Sequence, residues 1–228
     1  MTVNILQRKE GAQQATGLTV VIDVFRAFST ACYMSEQGAE RIIVTGDKQS
    51  AYDLKEKHPE FILVGERGGH IIPGAQFGNS PWKLSGVDLT GKTIIFTTSA
   101  GTKGVVSAHS TEEIITGAFV NAGAIIRYIQ SRNPNTVSLV CTGSANEHIA
   151  DEDAVCARYI KNILLGESND FEAIVDHLKK EGYANHFFDP ARDSHPEEDF
   201  ALCMALDRFN FVLKAETSEG GVVYLKRI

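Results

Sequence analysis

The sequence predicts an α/β fold: a three-layer arrangement with a mixed, largely parallel sheet and a C-terminal helical portion. Three observations support this. Short β-rich runs alternate with longer segments of helical period. Four of those runs end in turns of small and polar residues, where open α/β sheets bind ligands. The 228-residue chain is 43% apolar and 22% charged, enough to bury a sizeable core without metal or disulfide staples and incompatible with wholesale disorder.

Taken in order, the strands expected are Val3–Leu6, Leu18–Val24, Arg41–Thr45, Phe61–Gly65, Thr93–Thr98, Glu113–Thr116 and Thr136–Cys141. Between them the helical period predicts Ala27–Gln37 ending at Gly38, Lys48–His58 before Pro59, Gly101–Ala108, Asn121–Arg132 before Asn133-Pro134, and Asp151–Leu165 ending at Gly166. Gly and Pro after a periodic segment are stop signals. Two amphipathic segments, Phe171–Glu181 and Glu197–Arg208, flank a polar turn at Asp189-Pro190-Ala191-Arg192, and a strand Val222–Leu225 follows Gly220-Gly221. No Gly/Ser/Pro linker divides the chain, so one α/β domain over residues 1–228 is expected, with 167–228 a candidate helical cap. The stretch from Glu66 to Asp88 shows no clear element, and a loop of that length is usually functional or a misassigned element.

The formal net charge of −7 argues against a nucleic-acid binder, whose affinity rests on Lys and Arg at phosphates. Cys32, Cys141, Cys156 and Cys203 are widely spaced, form no CxxC pair and read as reduced core residues. Met1 to Lys9 lacks the apolar core of a signal peptide, and no apolar run approaches a membrane span. A cytoplasmic protein with no membrane partner is expected, with a homo-oligomer left open.

Polar chemistry collects after four strands. Asp23, Arg26, Ser29 and Thr30 follow the second; Glu66, Arg67, Gly68 and Gly69 follow the fourth. Thr97, Thr98, Ser99, Gly101 and Thr102 close the fifth, and Thr142, Gly143, Ser144, Asn146 and Glu147 follow the seventh, just before Asp151-Glu152-Asp153. If the strands are parallel neighbours, all four turns meet on one edge of the sheet. Carboxylates at Asp23, Glu66 and the acidic run suit Mg²⁺, a hard cation that prefers oxygen and keeps waters and substrate oxygens in its shell. Arg26 is a candidate clamp for a phosphate, with hydroxyls and glycine-freed N–H groups around its other oxygens. Positioning and electrostatics supply most of the catalysis in phosphoryl transfer.

Each piece also has a plain structural reading. Asp23 can be a helix cap, Thr97 to Thr102 capping chemistry, and the acidic run a partner of the helix dipole. Glu66-Arg67 can be an exposed ion pair, and His70, His148 and His195 lack metal-ligand spacing and read as surface or loop residues. The case rests on the four turns coinciding. Known phosphate machinery does not fit: there is no GxxxxGK[ST] loop, position 25 is Phe where a haloacid-dehalogenase-type enzyme needs Asp, and Cys141 is followed six places on by Glu147, not Arg. HExxH and GxSxG are absent as well.

Taken together, Ile22-Asp23-Val24-Phe25-Arg26-Ala27-Phe28-Ser29-Thr30, Gly65-Glu66-Arg67, Gly78-Asn79-Ser80-Pro81, Thr97-Thr98-Ser99-Ala100-Gly101-Thr102 and Asp151-Glu152-Asp153-Ala154-Val155-Cys156-Ala157 resemble the 2-phosphosulfolactate phosphatases, Mg²⁺-dependent enzymes of coenzyme M biosynthesis. The likeness spans about residues 20 to 160. It implies a compact α/β fold and hydrolysis of a small anionic substrate, the phosphate ester of a sulfonated hydroxy acid, to 3-sulfolactate and phosphate. It also implies Asp23 as metal ligand or nucleophile and Arg26 as anion clamp. Glu66 and Asp153 become further metal ligands or acid/base groups, and Asn79, Ser80, Thr98, Ser99 and Thr102 binders of phosphate or of the other anionic ends. Ser29, Thr30 and Gly101 join the phosphate-binding set. Phe28 and Ala100 depart from the family's usual Thr and Asn, and Phe28 removes a hydroxyl near the expected phosphate site.

Two chemical routes stay open, attack by Asp23 on phosphorus or by a water activated at the metal. The alternatives to a phosphatase are a non-catalytic binder of phosphorylated or sulfonated metabolites and, more weakly, a metal-dependent isomerase or lyase.

Overall fold

The computed structural model describes residues 1–108, 111–143, 151–180, 182–189 and 191–228. Among them ten strands join in one sheet: β1 (Thr2–Gln7), β2 (Leu18–Ile22), β3 (Arg41–Val44), β4 (Ile62–Arg67), β5 (His70–Ile71), β6 (Thr93–Thr97), β7 (Glu113–Gly117), β8 (Thr136–Cys141), β9 (Leu213–Thr217) and β10 (Val223–Arg227). Their spatial order is β1-β8-β2-β7-β9-β10-β3-β6-β4-β5. The seven strands expected from the first 141 residues are all present, within two residues at either end.

Their mutual directions differ from a single parallel row. β1, β8, β2 and β7 form one parallel block, and β3, β6 and β4 form another. The hairpin β9–β10 lies between them, and its three antiparallel pairings leave the two blocks running in opposite senses. In a flat sheet, the carboxyl ends of β2 and β4 would then lie on opposite edges. They nevertheless meet at one cavity, which Asp23 and Glu66 both line, and Gly101, just beyond β6, packs against Asp23.

Helices cover both faces. Along β8, Val137, Leu139 and Cys141 point into the main core with Ile125 and Ile129 of α6 (Ala122–Arg132) and Cys156 and Ile160 of α7 (Asp151–Leu164). Val140 points the other way, onto Ala12 of α1 (Arg8–Gln14) and Ala108 beyond α5 (Gly101–Ser107). This alternation is the period-2 signature of a strand buried on both faces. Around β4 and β6, a third cluster joins Leu63 and Ile95 to Ala51 of α3 (Lys48–Lys57). Asp47 caps α3 by accepting from the Ser50 N–H at 2.9 Å, and α6 stops at Asn133, which is left-handed at φ 45°.

Among the described residues, the strands and α-helices not anticipated are α1, the short strand β5, the four-residue helix α4 (Pro81–Leu84) and β9. Beyond α8 (Phe171–Lys180) and a 3₁₀ segment (Gly182–Phe188), α9 (Glu197–Cys203) ends earlier than the expected Arg208. The four cysteines are free and buried. No helix among the described residues is long and apolar enough to cross a membrane.

Candidate active site

The run Leu18–Ile22 is buried throughout, and the chain leaves β2 through Asp23 into α2 (Ala27–Glu36). Here the capping role and the site role of Asp23 coincide. Its Oδ1 accepts from the Ala27 N–H at 2.9 Å, satisfying a free donor at the start of α2. Its Oδ2 accepts from the Thr142 hydroxyl at 3.3 Å and lies against the N–H of Gly101. Gly101 is required by this approach: a Cβ there would stand 2.6 Å from Asp23 Oδ2 and 2.7 Å from the Ala27 Cβ.

Asp23 faces a cavity whose acidic wall also contains Glu66 and Glu152. Burial pushes Asp23 up to about 6, and the nearby Glu66 charge adds to the shift, against the opposing hydrogen bond from Ala27. Glu152 is raised to about 7, chiefly by burial and then by Asp23 and Asp151, with its own backbone hydrogen bond opposing. Glu66 is held rigidly. The Ser99 N–H donates to its Oε1 at 2.6 Å, and the Gly69 N–H and Ser99 hydroxyl donate to its Oε2 at 2.8 and 3.0 Å. It is no exposed ion pair: Arg67 turns to the Glu66 carbonyl and the Thr97 hydroxyl instead.

Asp153, expected as a metal ligand, does not line the cavity. Its Oδ1 accepts from the Val24 N–H at 2.8 Å and its Oδ2 from the Gly143 N–H at 3.2 Å, so it ties the β2 and β8 turns together from behind Asp23. Burial raises its carboxyl well above the usual range, helped by the charges of Asp23 and Glu152. Neighbours on a helix point about 100° apart, and of this pair Glu152 lines the cavity.

The same cavity is lined by Arg26, Asn79 and His195. Arg26 is buried, and its Nη1 donates to Asp199 Oδ2 at 2.5 Å. The Asn79 Oδ1 is buried and takes no hydrogen bond among the described residues. His195 is not a surface residue: it is 5% exposed, and a Cβ on Gly69 would overlap its ring. Burial and the charge of Arg26 hold its imidazole down to about 3, so it is neutral. Ser194 lies 2.9 Å from its Nδ1. His70 is exposed, and His148 lies outside the described residues.

The remaining expected residues are close by but turned to the fold. The Ser29 hydroxyl donates to the Val24 carbonyl, and Thr30 is buried in α2. Thr98 and Thr102 exchange hydrogen bonds at the start of α5. Ser80 caps α4 and donates to Asp199. None of these lines the cavity; Ser99, Ala100 and Gly143 do. Phe28 is fully buried in the main core, away from the cavity, so of the two departures from the expected pattern only Ala100 touches the site. Ser144, Asn146 and Glu147 lie outside the described residues.

The wall suits a hard divalent cation in chemistry and charge. Asp23, Glu66 and Glu152 are oxygen donors; the charge of Glu66 helps raise the Asp23 carboxyl and that of Asp23 helps raise Glu152, repulsion that a cation relieves. Among the described residues no three Asp, Glu, His or Cys side chains form a closed metal-holding group.

A family model described as 2-phosphosulpholactate phosphatase matches residues 4–218. The probable 2-phosphosulfolactate phosphatase of Bacillus subtilis (strain 168) is 28% identical over 231 residues, 100% of this chain and 99% of the relative. Its counterpart from Caldanaerobacter subterraneus subsp. tengcongensis is 31% identical over 86% of each chain. The one from Carboxydothermus hydrogenoformans is 36% identical over 87% of this chain and 79% of its own length.

Proposed function

The chain belongs to the 2-phosphosulfolactate phosphatase family, and on that premise we propose that it is a phosphoric monoester hydrolase converting 2-phosphosulfolactate and water to 3-sulfolactate and phosphate. The observation that carries the reading is one cavity lined by the carboxylates Asp23, Glu66 and Glu152 together with Arg26 and Asn79. Such a cavity matches a phosphate ester, whose oxygens need a cation clamp and whose reacting end needs carboxylates.

Arg26 binds the phosphate, and the Asn79 amide turns to the substrate. Gly69 and His195 close one wall and exclude water. One or two carboxylates of this lining, Asp23 among them, would hold Mg²⁺, which when bound neutralises phosphoryl charge. Asp23, ionised at neutral pH, receives the proton of the attacking water. As the new P–O bond to the water oxygen forms, the bond from phosphorus to the substrate oxygen breaks; that oxygen takes a proton from solvent water, and Asp23 returns to solvent the proton it received. Coenzyme M biosynthesis and a cytoplasmic site of action belong to the same proposal, supported by the family likeness.

The test is phosphate release from a panel of phosphorylated hydroxy acids, with Mg²⁺ and with a chelator. Release that is indifferent to the chelator overturns the metal assignment. Asp23→Asn keeps an oxygen for the Ala27 N–H and is expected to fold while losing about 10²- to 10⁴-fold in kcat, the usual worth of a positioned acid or base. Substantial turnover by the folded variant removes Asp23 from its role, and a phosphoenzyme trapped on Asp23 replaces water attack by attack of the carboxylate itself.

A further inference from the structure

The C-terminal segment reaches the cavity through a side chain to which no motif points. Asp199, in the first turn of α9, is fully buried. Its Oδ1 accepts from the Ser80 hydroxyl and from the Trp82 N–H, each at 2.9 Å, which fixes the carboxylate to the start of α4. Its Oδ2 then receives the Arg26 Nη1 at 2.5 Å across 173 residues of sequence. The two partners are 4% and 0% exposed.

An arginine side chain has several rotatable bonds but a rigid planar fork of donors. Fixing one nitrogen therefore fixes where the others point. With Nη1 committed to Asp199, the guanidinium keeps Nε and Nη2 for a bidentate grip on phosphate. Packing reinforces the placement: Phe187 lies under the Arg26 guanidinium at 5.8 Å, and Phe25 contacts Phe187 and Phe200 at 5.0 and 5.6 Å. We propose that Asp199 is a positioning residue for the hydrolysis, holding the Arg26 fork at the phosphate cavity from the tail of the chain. This rests on the reading of Arg26 as the phosphate clamp. The competing role for Asp199 is purely structural, as an anchor for α4 and α9.

A double-mutant cycle separates the two roles. Asp199→Asn is made in the wild-type protein and in Arg26→Ala, and each variant is measured for KM and kcat with 2-phosphosulfolactate and for the Kd of inorganic phosphate by calorimetry. In the wild-type background, Asp199→Asn is expected to lower kcat/KM by about 100-fold, the scale of a misplaced clamp. KM and the phosphate Kd should rise together. In the Arg26→Ala background the same change should alter both by less than about twofold, because the group through which Asp199 acts is gone. Melting temperature should move the opposite way: Arg26→Ala leaves a buried carboxylate unpaired, so adding Asp199→Asn restores stability. An equal loss in both backgrounds, or no loss in either, overturns the proposal. Full activity in Arg26→Ala alone overturns the clamp reading and the positioning role with it. If Asp199→Asn does not fold, Ser80→Ala releases Asp199 Oδ1 and should show the same background dependence at smaller amplitude; its absence there is equally decisive.

Discussion

Gly101 packs directly against Asp23, and adding one methyl group there gives a sharp test. A Cβ at position 101 would lie 2.6 Å from Asp23 Oδ2, whereas ordinary van der Waals contact begins at 3.4 Å. Asp23 or the start of α5 must therefore retreat by roughly 0.8 Å, a shift imposed on a carboxylate already held at Oδ1 by the Ala27 N–H. The second close contact, 2.7 Å to the Ala27 Cβ, blocks the simplest escape toward α2. Overpacking of this kind costs about 2 kcal/mol, or about 4–8 °C in melting temperature for a chain of this size. A displacement of about 1 Å at a reacting group costs about 10²-fold in rate. Gly101→Ala should accordingly keep its far-UV circular dichroism, melt several degrees lower and lose about 100-fold in kcat/KM for 2-phosphosulfolactate. A variant within twofold of wild type in kcat/KM would show that Asp23 does not act from the position described.

Glu152 makes stability depend on pH in the chelated protein. Its carboxyl is raised from 4.5 to about 7, so its contribution is present below about pH 4.5 and is lost as pH rises through 7. That shift corresponds to roughly 3 kcal/mol at most. Glu152→Gln, fixed in the neutral form, should match wild type near about pH 4.5 and melt about 6 °C or more higher near about pH 8 in thermal scans. Melting curves that stay parallel across this range would remove Glu152 from the buried acidic wall. Asp47→Ala removes an exposed cap, with hydrogen bonds of 2.9 and 2.8 Å to the Ser50 N–H and hydroxyl. It should cost about 1 kcal/mol in urea unfolding and leave kcat/KM unchanged; a loss of activity would show that α3 is coupled to the site.

What the sequence makes legible is local. The Leu18–Ile22 run and its exit through Asp23 carry their own signal, an apolar strand followed by a polar turn and a helical period. The same holds for Glu66, at the carboxyl end of β4, and for Ser99, two residues past β6. Strand direction carries no such signal: β3, β6 and β4 read alike whichever way they run, and only pairing with the β9–β10 hairpin sets their sense. β9 itself, Leu213-Lys214-Ala215-Glu216-Thr217, lacks an apolar run because its neighbours supply the burial. Asp199 and His195 sit in polar tail sequence and gain meaning only through contacts with Arg26 and Gly69 more than a hundred residues away. In the acidic run, composition identifies the cluster, but the helical rotation decides that Glu152 meets the cavity and Asp153 the backbone.

The place of the β9–β10 hairpin also constrains how the protein is made. Residues 213–227 join the block containing Asp23 to the block containing Glu66, yet they follow both in the chain. During synthesis each parallel block can gather its own helices as it emerges, but neither has its sheet neighbour until the hairpin is translated. Arg26 likewise waits for Asp199. The nascent chain therefore carries two incomplete sheet edges and an unassembled acidic cavity through most of its elongation, and hydrolytic competence arrives in a late, long-range closure.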